Sequence, residues 1–347
     1  MQPTLYPPYR QYPPQPVIST EDVKRNEQRI IRKQSNALGF YILTYCATMY
    51  ALSIGIGMLM NALGVSLNGT AEYLTDIFVS VFAAFIPGLV YMAATGFSPK
   101  SAFGKTSVAP ALLIPLVFIG MGVSMVANYA ASIFANNLSL FGIENHGGSI
   151  DTGSMSPLEI VLVVIAVSIV PAFAEEFAFR GLVMGSLKKY GRAFAVVASS
   201  VMFSAMHANT TQIVFVIFVG LIFGYVDMLT DSILPSVIIH FINNFYATVL
   251  DVLQSNGNLD EAVLTIINIL LPVMFCLGGL LSFVYLAKTK PEIFKFSAKE
   301  PCEESNANLL SLKSKFNAFF VNPGMMIAMS CFLVLVILNL YPITGSI

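Results

Sequence analysis

The chain alternates between long uncharged apolar runs and short polar segments. A helix needs about 20 apolar residues to cross the ~30 Å hydrocarbon core of a bilayer. On that criterion the pattern predicts nine helices, at roughly 37–62, 73–97, 107–135, 157–188, 191–208, 211–229, 232–254, 262–287 and 323–343. The expected fold class is therefore all-α, a polytopic membrane bundle of about eight or nine spans. The chain divides into N-terminal membrane helices (37–135), a helical core (157–254) and a C-terminal part (262–347) with a polar loop at 289–322. The last span reads as peripheral to the core.

The loops carry a second pattern. Lys24, Arg25, Arg29, Arg32 and Lys33 precede the first span, and Lys100 and Lys105 follow the second. Lys188, Lys189 and Arg192 separate spans four and five, and Lys288, Lys290, Lys295, Lys299, Lys313 and Lys315 lie before the last. The loops around 63–72, 136–156 and 255–261 contain no Lys or Arg. Basic loops stay cytoplasmic. A multi-pass protein of the cell membrane is expected, with the N-terminus inside and the C-terminus outside. The turn Leu229-Thr-Asp-Ser232 has no basic residue and is the least constrained part of this assignment.

Composition agrees. Apolar residues make up 56% and charged residues 11% of the 347 positions, against about 25% charged in soluble domains. The lipid bilayer is the expected environment. No basic patch stands apart from the loops, so nucleic-acid binding has no support. Cys46, Cys276, Cys302 and Cys331 form no CxxC pair and no zinc pattern, and read as packing residues. Residues 1–20 hold six prolines and three tyrosines without an apolar run. They read as a disordered, solvated polyproline-like cytoplasmic tail, with a partner that recognises Pro-rich segments as the alternative.

Ionisable groups within apolar spans are costly, by at least ~2.5–3.5 kcal/mol for a charge at the centre. The fourth span nevertheless contains Glu175, Glu176 and Arg180 in PAFAEEFAFRG, and His207 and His240 lie in later apolar segments. His146 falls in a loop, where solvation is the default. Glu176 and Arg180 are four apart and suit a structural ion pair. Glu175 points about 100° away from Glu176, leaving it a carboxylate without a local partner. Glu175 lies 16 residues before Gly191 and His207 lies 16 after it. In an antiparallel hairpin both would sit about 24 Å from the turn and could face each other. Phe203, one turn before His207, reads as packing. Asn243 and Asn244 flank His240, and buried amides require hydrogen bonds. A full crossing by the fifth span would leave His207 and His240 at different depths. Tilted or interrupted helices would close that gap, and Gly220 and Gly224 permit close contact in the sixth span.

Three stretches together resemble a known family. Glu175-Glu176-x-x-x-Arg180, Phe203-x-x-x-His207 and His240-x-x-x-Asn244 are similar to the E-E-x-x-x-R, F-x-x-x-H and H-x-x-x-N/B motifs of the CPBP family. That family includes type II CAAX prenyl endopeptidases, bacteriocin-processing and immunity proteins, and lysostaphin-resistance-like membrane proteins. The resemblance covers about 157–250. It implies an intramembrane endopeptidase acting on a membrane-associated peptide or protein, without a cofactor and without a covalent acyl-enzyme. Glu175 would act with His207 to activate water, His240 and Asn244 would stabilise the oxyanion, and Glu176 with Arg180 would support the site. Three alternatives stand beside it. One is a metallopeptidase with Glu175, His207 and His240 holding an ion such as zinc. Another is a non-catalytic scaffold, regulator or immunity protein of the same family. The last is a proton-coupled transporter.

Overall fold

The computed structural model describes residues 19–145, 155–255, 260–294 and 309–342. The Pro-rich tail, His146 and Cys302 lie outside them. The helices are α1 (Thr20–Ala62), α2 (Thr70–Thr95), the short α3 (Pro99–Phe103), α4 (Pro110–Leu140), α5 (Pro157–Tyr190), α6 (Arg192–Met206), α7 (Thr210–Thr230), α8 (Leu234–Ser255), α9 (Glu261–Thr289), α10 (Leu312–Phe320) and α11 (Pro323–Leu338). Local chemistry sets several starts. Ser156 and Glu159 form a reciprocal capping box ahead of α5, with Pro157 at its first position. Asn209 Oδ1 accepts from the amides of Thr211 and Gln212 at the start of α7, and Asn322 Oδ1 accepts from Met325 N at the start of α11.

The all-α class holds. The one strand pair among the described residues is Ile143–Asn145 with Leu340–Pro342, antiparallel and three residues long. The count of nine spans does not hold. Seven helices among the described residues are long and apolar enough to cross a membrane, or eight if α10 and α11, bent by 76°, form one span. The fifth expected span is α6, a 15-residue helix. At 1.5 Å per residue it covers about 22 Å, short of the ~30 Å core. The chain reverses after it because Ala208 adopts φ 51° and Asn209 caps the next helix. The expected loop 289–322 also contains structure, a 3-10 turn at Pro291–Phe294 and all of α10.

The two ends of the bundle are distinct. Lys188 pairs with Asp231 at 3.2 Å, and Lys105 N donates to Asp231 O at 2.7 Å, so the turn between α7 and α8 lies with the basic loops. Lys315 Nζ donates to Tyr190 O at 2.5 Å, and Glu27 accepts from the amides of Leu309 and Leu310. These contacts tie α1, the α5–α6 turn and α10 together at the same end. At the opposite end Glu159 accepts from Thr70 N at 3.2 Å, where the 143–145 and 340–342 strands also meet.

The last helix is not peripheral. Gly39 and Gly324 bring α1 and α11 into backbone contact, since a Cβ on Gly39 would lie 2.4 Å from Gly324 C. Asn339, just past α11, donates to Ala208 O at 3.0 Å and so anchors the turn beside His207.

Helix α5 departs from α geometry twice. Residues Ile165–Ile169 and Phe177–Met184 form π-helical turns, a rare form that is frequent at functional sites. Pro171 lies between them and has no N–H for the carbonyl of Val167, four residues earlier. Asn244 Nδ2 donates to that carbonyl at 3.1 Å, binding α8 to the distorted part of α5.

Candidate active site

A cavity of about 620 Å³ runs between α1, α2, α5, α6, α7 and α8. Glu175, His207, His240, Asn243 and Asn244 all line it. The depth conflict between His207 and His240 disappears because α6 stops part-way and presents His207 at its C-terminal end. Close packing of α6 on α7 makes this possible. A Cβ on Gly220 would meet Ser200 Cβ at 3.1 Å, and one on Gly224 would meet Val196 Cγ1 at 3.1 Å.

His240 is the junction of the cluster. Its Nδ1 lies 2.9 Å from Glu176 Oε1, and its Nε2 lies 3.9 Å from Glu175 Oε2. Nδ1–H donates to Glu176, because a carboxylate only accepts. Nε2 is thereby turned to the cavity and to Glu175. The ring is further held between Phe223 and Phe203, with centroids at 5.7 and 6.2 Å. His207 Nδ1 lies 2.9 Å from Phe203 O, the carbonyl one turn earlier. A carbonyl accepts only, so Nδ1–H is the donor and Nε2 is left as an acceptor.

The expected Glu176–Arg180 pair forms, and both side chains are fully buried. Arg180 Nη1 donates to Glu176 Oε1 at 3.2 Å, and Nη2 donates to Gly220 O at 3.4 Å. Nε faces Oε2 at 3.2 Å as an ion pair without hydrogen-bond alignment. The guanidinium also lies 4.3 Å from the Phe203 ring centroid and 5.3 Å from that of Phe223, a cation–π arrangement. Glu176 has a second partner that helix spacing alone does not reveal, the His240 ring. Glu175 keeps 20% side-chain exposure, against 0% for Glu176. The two adjacent carboxylates thus divide into one sealed in the protein and one facing the cavity.

Helix spacing placed Glu175 opposite His207. Both line the cavity, but the ionic contact of Glu175 is with His240. The π-helical stretch Phe177–Met184, between Glu175 and the α5–α6 turn, accounts for the difference. A wider turn packs more residues into the same length of axis, so equal residue counts on α5 and α6 are not equal depths. Among the described residues no three His, Cys, Asp or Glu side chains gather as an ion-binding group.

One supporting group escaped the sequence reading. Asp227 on α7 is 2% exposed. Its Oδ1 accepts from Ser236 N at 3.0 Å and its Oδ2 from Ser236 Oγ at 2.5 Å. A carboxylate on the Ser236 amide, in the first turn of α8, satisfies a donor that has no partner within the helix and complements its dipole. Ser236 is one turn before His240, so this contact fixes the helix that carries the ring. Its signal in the sequence is an acidic residue within an apolar run, GLIFGYVDMLT.

Residues 157–246 match the family model described as type II CAAX prenyl endopeptidase Rce1-like. No curated protein and no solved structure matches the chain. The matched segment contains Glu175, Glu176, Arg180, His207, His240 and Asn244, the residues that meet around the cavity and its buried support. Residues 157–246, the helical core of this multi-pass membrane protein, are thus similar to the type II CAAX prenyl endopeptidase Rce1-like family.

Proposed function

We propose that the protein is an intramembrane endopeptidase that hydrolyses a peptide bond of a membrane-associated substrate with water activated by Glu175 and His207. The observation that carries this reading is the split between two adjacent carboxylates. Glu176 is sealed against Arg180 and His240, while Glu175 faces a cavity shared with two imidazoles and two amides.

A partly desolvated carboxylate is a competent general base. Glu175 takes one proton from water, with the free Nε2 of His207 accepting a hydrogen bond from the same water or sharing the proton. The hydroxide oxygen bonds to the scissile carbonyl carbon, whose π electrons move to oxygen. The imidazolium form of His240, with Nδ1–H on Glu176, can donate Nε2–H to that oxyanion. The second N–H of Asn244 adds to this, since its first is bound to Val167 O. Donors fixed in a water-poor site stabilise such charge strongly. Collapse of the intermediate breaks the C–N bond, and the proton held by Glu175 passes to the leaving amine. The products are a carboxylic acid and an amine, which ionise to carboxylate and ammonium, with no acyl-enzyme.

The test is cleavage of membrane-anchored peptides by the reconstituted protein and its Glu175→Gln variant. Loss of at least about 100-fold in rate is expected for removing a general base. Equal cleavage by both proteins would refute the assignment. Absence of cleavage by the wild type, with retained binding of a membrane protein partner, would favour a non-catalytic scaffold.

A further inference from the structure

The cavity has a direction. Its buried end lies toward the basic loops and is closed by the Glu176–Arg180 pair, Phe203 and Phe223. Beneath that pair the space lined by Arg180, Asp227 and Lys188 is about 30 Å³, no more than a water molecule needs. Its open end is formed by exposed side chains, among them Tyr50, Asp76, Gln212 and Ala247. Those residues sit toward the helix ends remote from the basic loops. Asp76 is in the first turns of α2, which starts at Thr70. Asp251 is four residues before the end of α8 at Ser255, and roughly 16 Å of helix beyond His240.

The lining is also one-sided in charge. It contains the carboxylates of Asp76, Asp251 and Glu175 and no Lys or Arg among its described residues. A second chamber of about 450 Å³ adjoins it, sharing Ala247 and Asp251. It is lined by Asn128, Ser132, Gln254 and Asn268, again without a basic residue. Such amides within apolar helices are costly unless they meet water or a polar ligand.

We infer that the cavity admits its substrate from the face opposite the Lys- and Arg-bearing loops, and that the admitted peptide segment is positively charged. By the positive-inside rule this is the non-cytoplasmic face. Carboxylates at a low-dielectric mouth concentrate cations and raise their rate of entry. Asp76 and Asp251 select the charge of the segment, the amide-lined chamber takes the residues beyond the scissile bond, and Glu175 meets the carbonyl at the buried end. The last step rests on the protease reading, whereas the entry side and the charge preference do not.

Two measurements test this separately from catalysis. In a full-length chain with its four cysteines replaced by serine, Ala247→Cys and Lys100→Cys are labelled with a membrane-impermeant maleimide in intact cells and in inverted vesicles. Labelling of Ala247→Cys in intact cells and of Lys100→Cys only in inverted vesicles is expected. Labelling of both from one side overturns the entry route. Binding of acylated peptides of equal length, bearing Lys or Glu, is then measured on reconstituted Glu175→Gln. The Lys peptide is expected to bind at least about tenfold tighter at low salt, and the double substitution Asp76→Asn/Asp251→Asn is expected to abolish the difference. Equal binding of the two peptides overturns the charge preference. Tight Lys-peptide binding together with absence of cleavage by the wild type would leave this inference standing and sink the protease reading alone.

Discussion

Removing Arg180 should leave Glu176 as an uncompensated charge at the centre of the bundle. Both side chains are fully buried and lie 3.2 Å apart. At that separation and an effective dielectric constant of about 20, the attraction is about 5 kcal/mol. Breaking one side of a buried pair typically costs ~3–5 kcal/mol. His240 Nδ1, 2.9 Å from Glu176 Oε1, retains part of the compensation, so Arg180→Met should cost about 3 kcal/mol, at the low end of that range. The double substitution Glu176→Gln/Arg180→Met removes the stranded charge and should recover more than half of the loss. Arg180→Lys should fall between wild type and Arg180→Met, because an ammonium cannot reach Glu176 and Gly220 O together or lie flat between Phe203 and Phe223. The assay is equilibrium unfolding in mixed detergent micelles, followed by circular dichroism. A double variant as unstable as Arg180→Met would refute the reasoning, since the cost would then come from lost packing and not from charge.

Three further outcomes follow from other contacts. Gly39→Ala should destabilise by about 1–3 kcal/mol through overpacking against Gly324, while Gly55→Ala, with nothing within 4 Å of its Cβ, should be neutral or slightly stabilising in the same unfolding assay. Ser236→Ala removes one of the two hydrogen bonds to Asp227 and should cost about 1–3 kcal/mol, because a buried carboxylate oxygen loses its donor. The kcat for a cleaved peptide should fall with it, since α8 carries His240, and an unchanged stability and kcat would remove Asp227 from the support of the site. Asn339→Leu breaks the bond to Ala208 O and should lower kcat with folding retained, by up to the roughly 100-fold that a 1 Å misplacement of a catalytic group can cost. Unaltered kinetics would show that the turn holds His207 without the last helix.

Much of the molecule was legible from the sequence because lipid leaves few choices. Backbone groups in a bilayer must be bonded within a helix or a closed barrel, so apolar run length gave the element type and most helix positions directly. The α7–α8 turn, which has no Lys or Arg of its own, lies at the end of the bundle that carries the basic loops, held there by the Lys188–Asp231 contact. The high cost of charge in apolar helices singled out Glu175, Glu176, Arg180, His207 and His240 before any coordinates. Helix spacing found the Glu176–Arg180 pair, which is local to one element.

What failed depended on distance between elements. A run of apolar residues does not say where a helix stops within the membrane, and α6 ends early because Ala208 and Asn209 turn the chain. The depth of His207 follows from that turn, which Asn339 holds from a remote part of the sequence. Hairpin counting assumed 1.5 Å per residue, and the π turns of α5 break that assumption. Their partners are contributed by other helices, as Asn244 is to Val167, so no local pattern announces them. The same holds for Glu176, which sequence spacing assigned to Arg180 alone and tertiary packing also gives to His240. The sequence thus determined which residues are too costly in lipid to be incidental. Only the packed bundle decided which of them face the cavity, because burial and partner choice are properties of several helices at once.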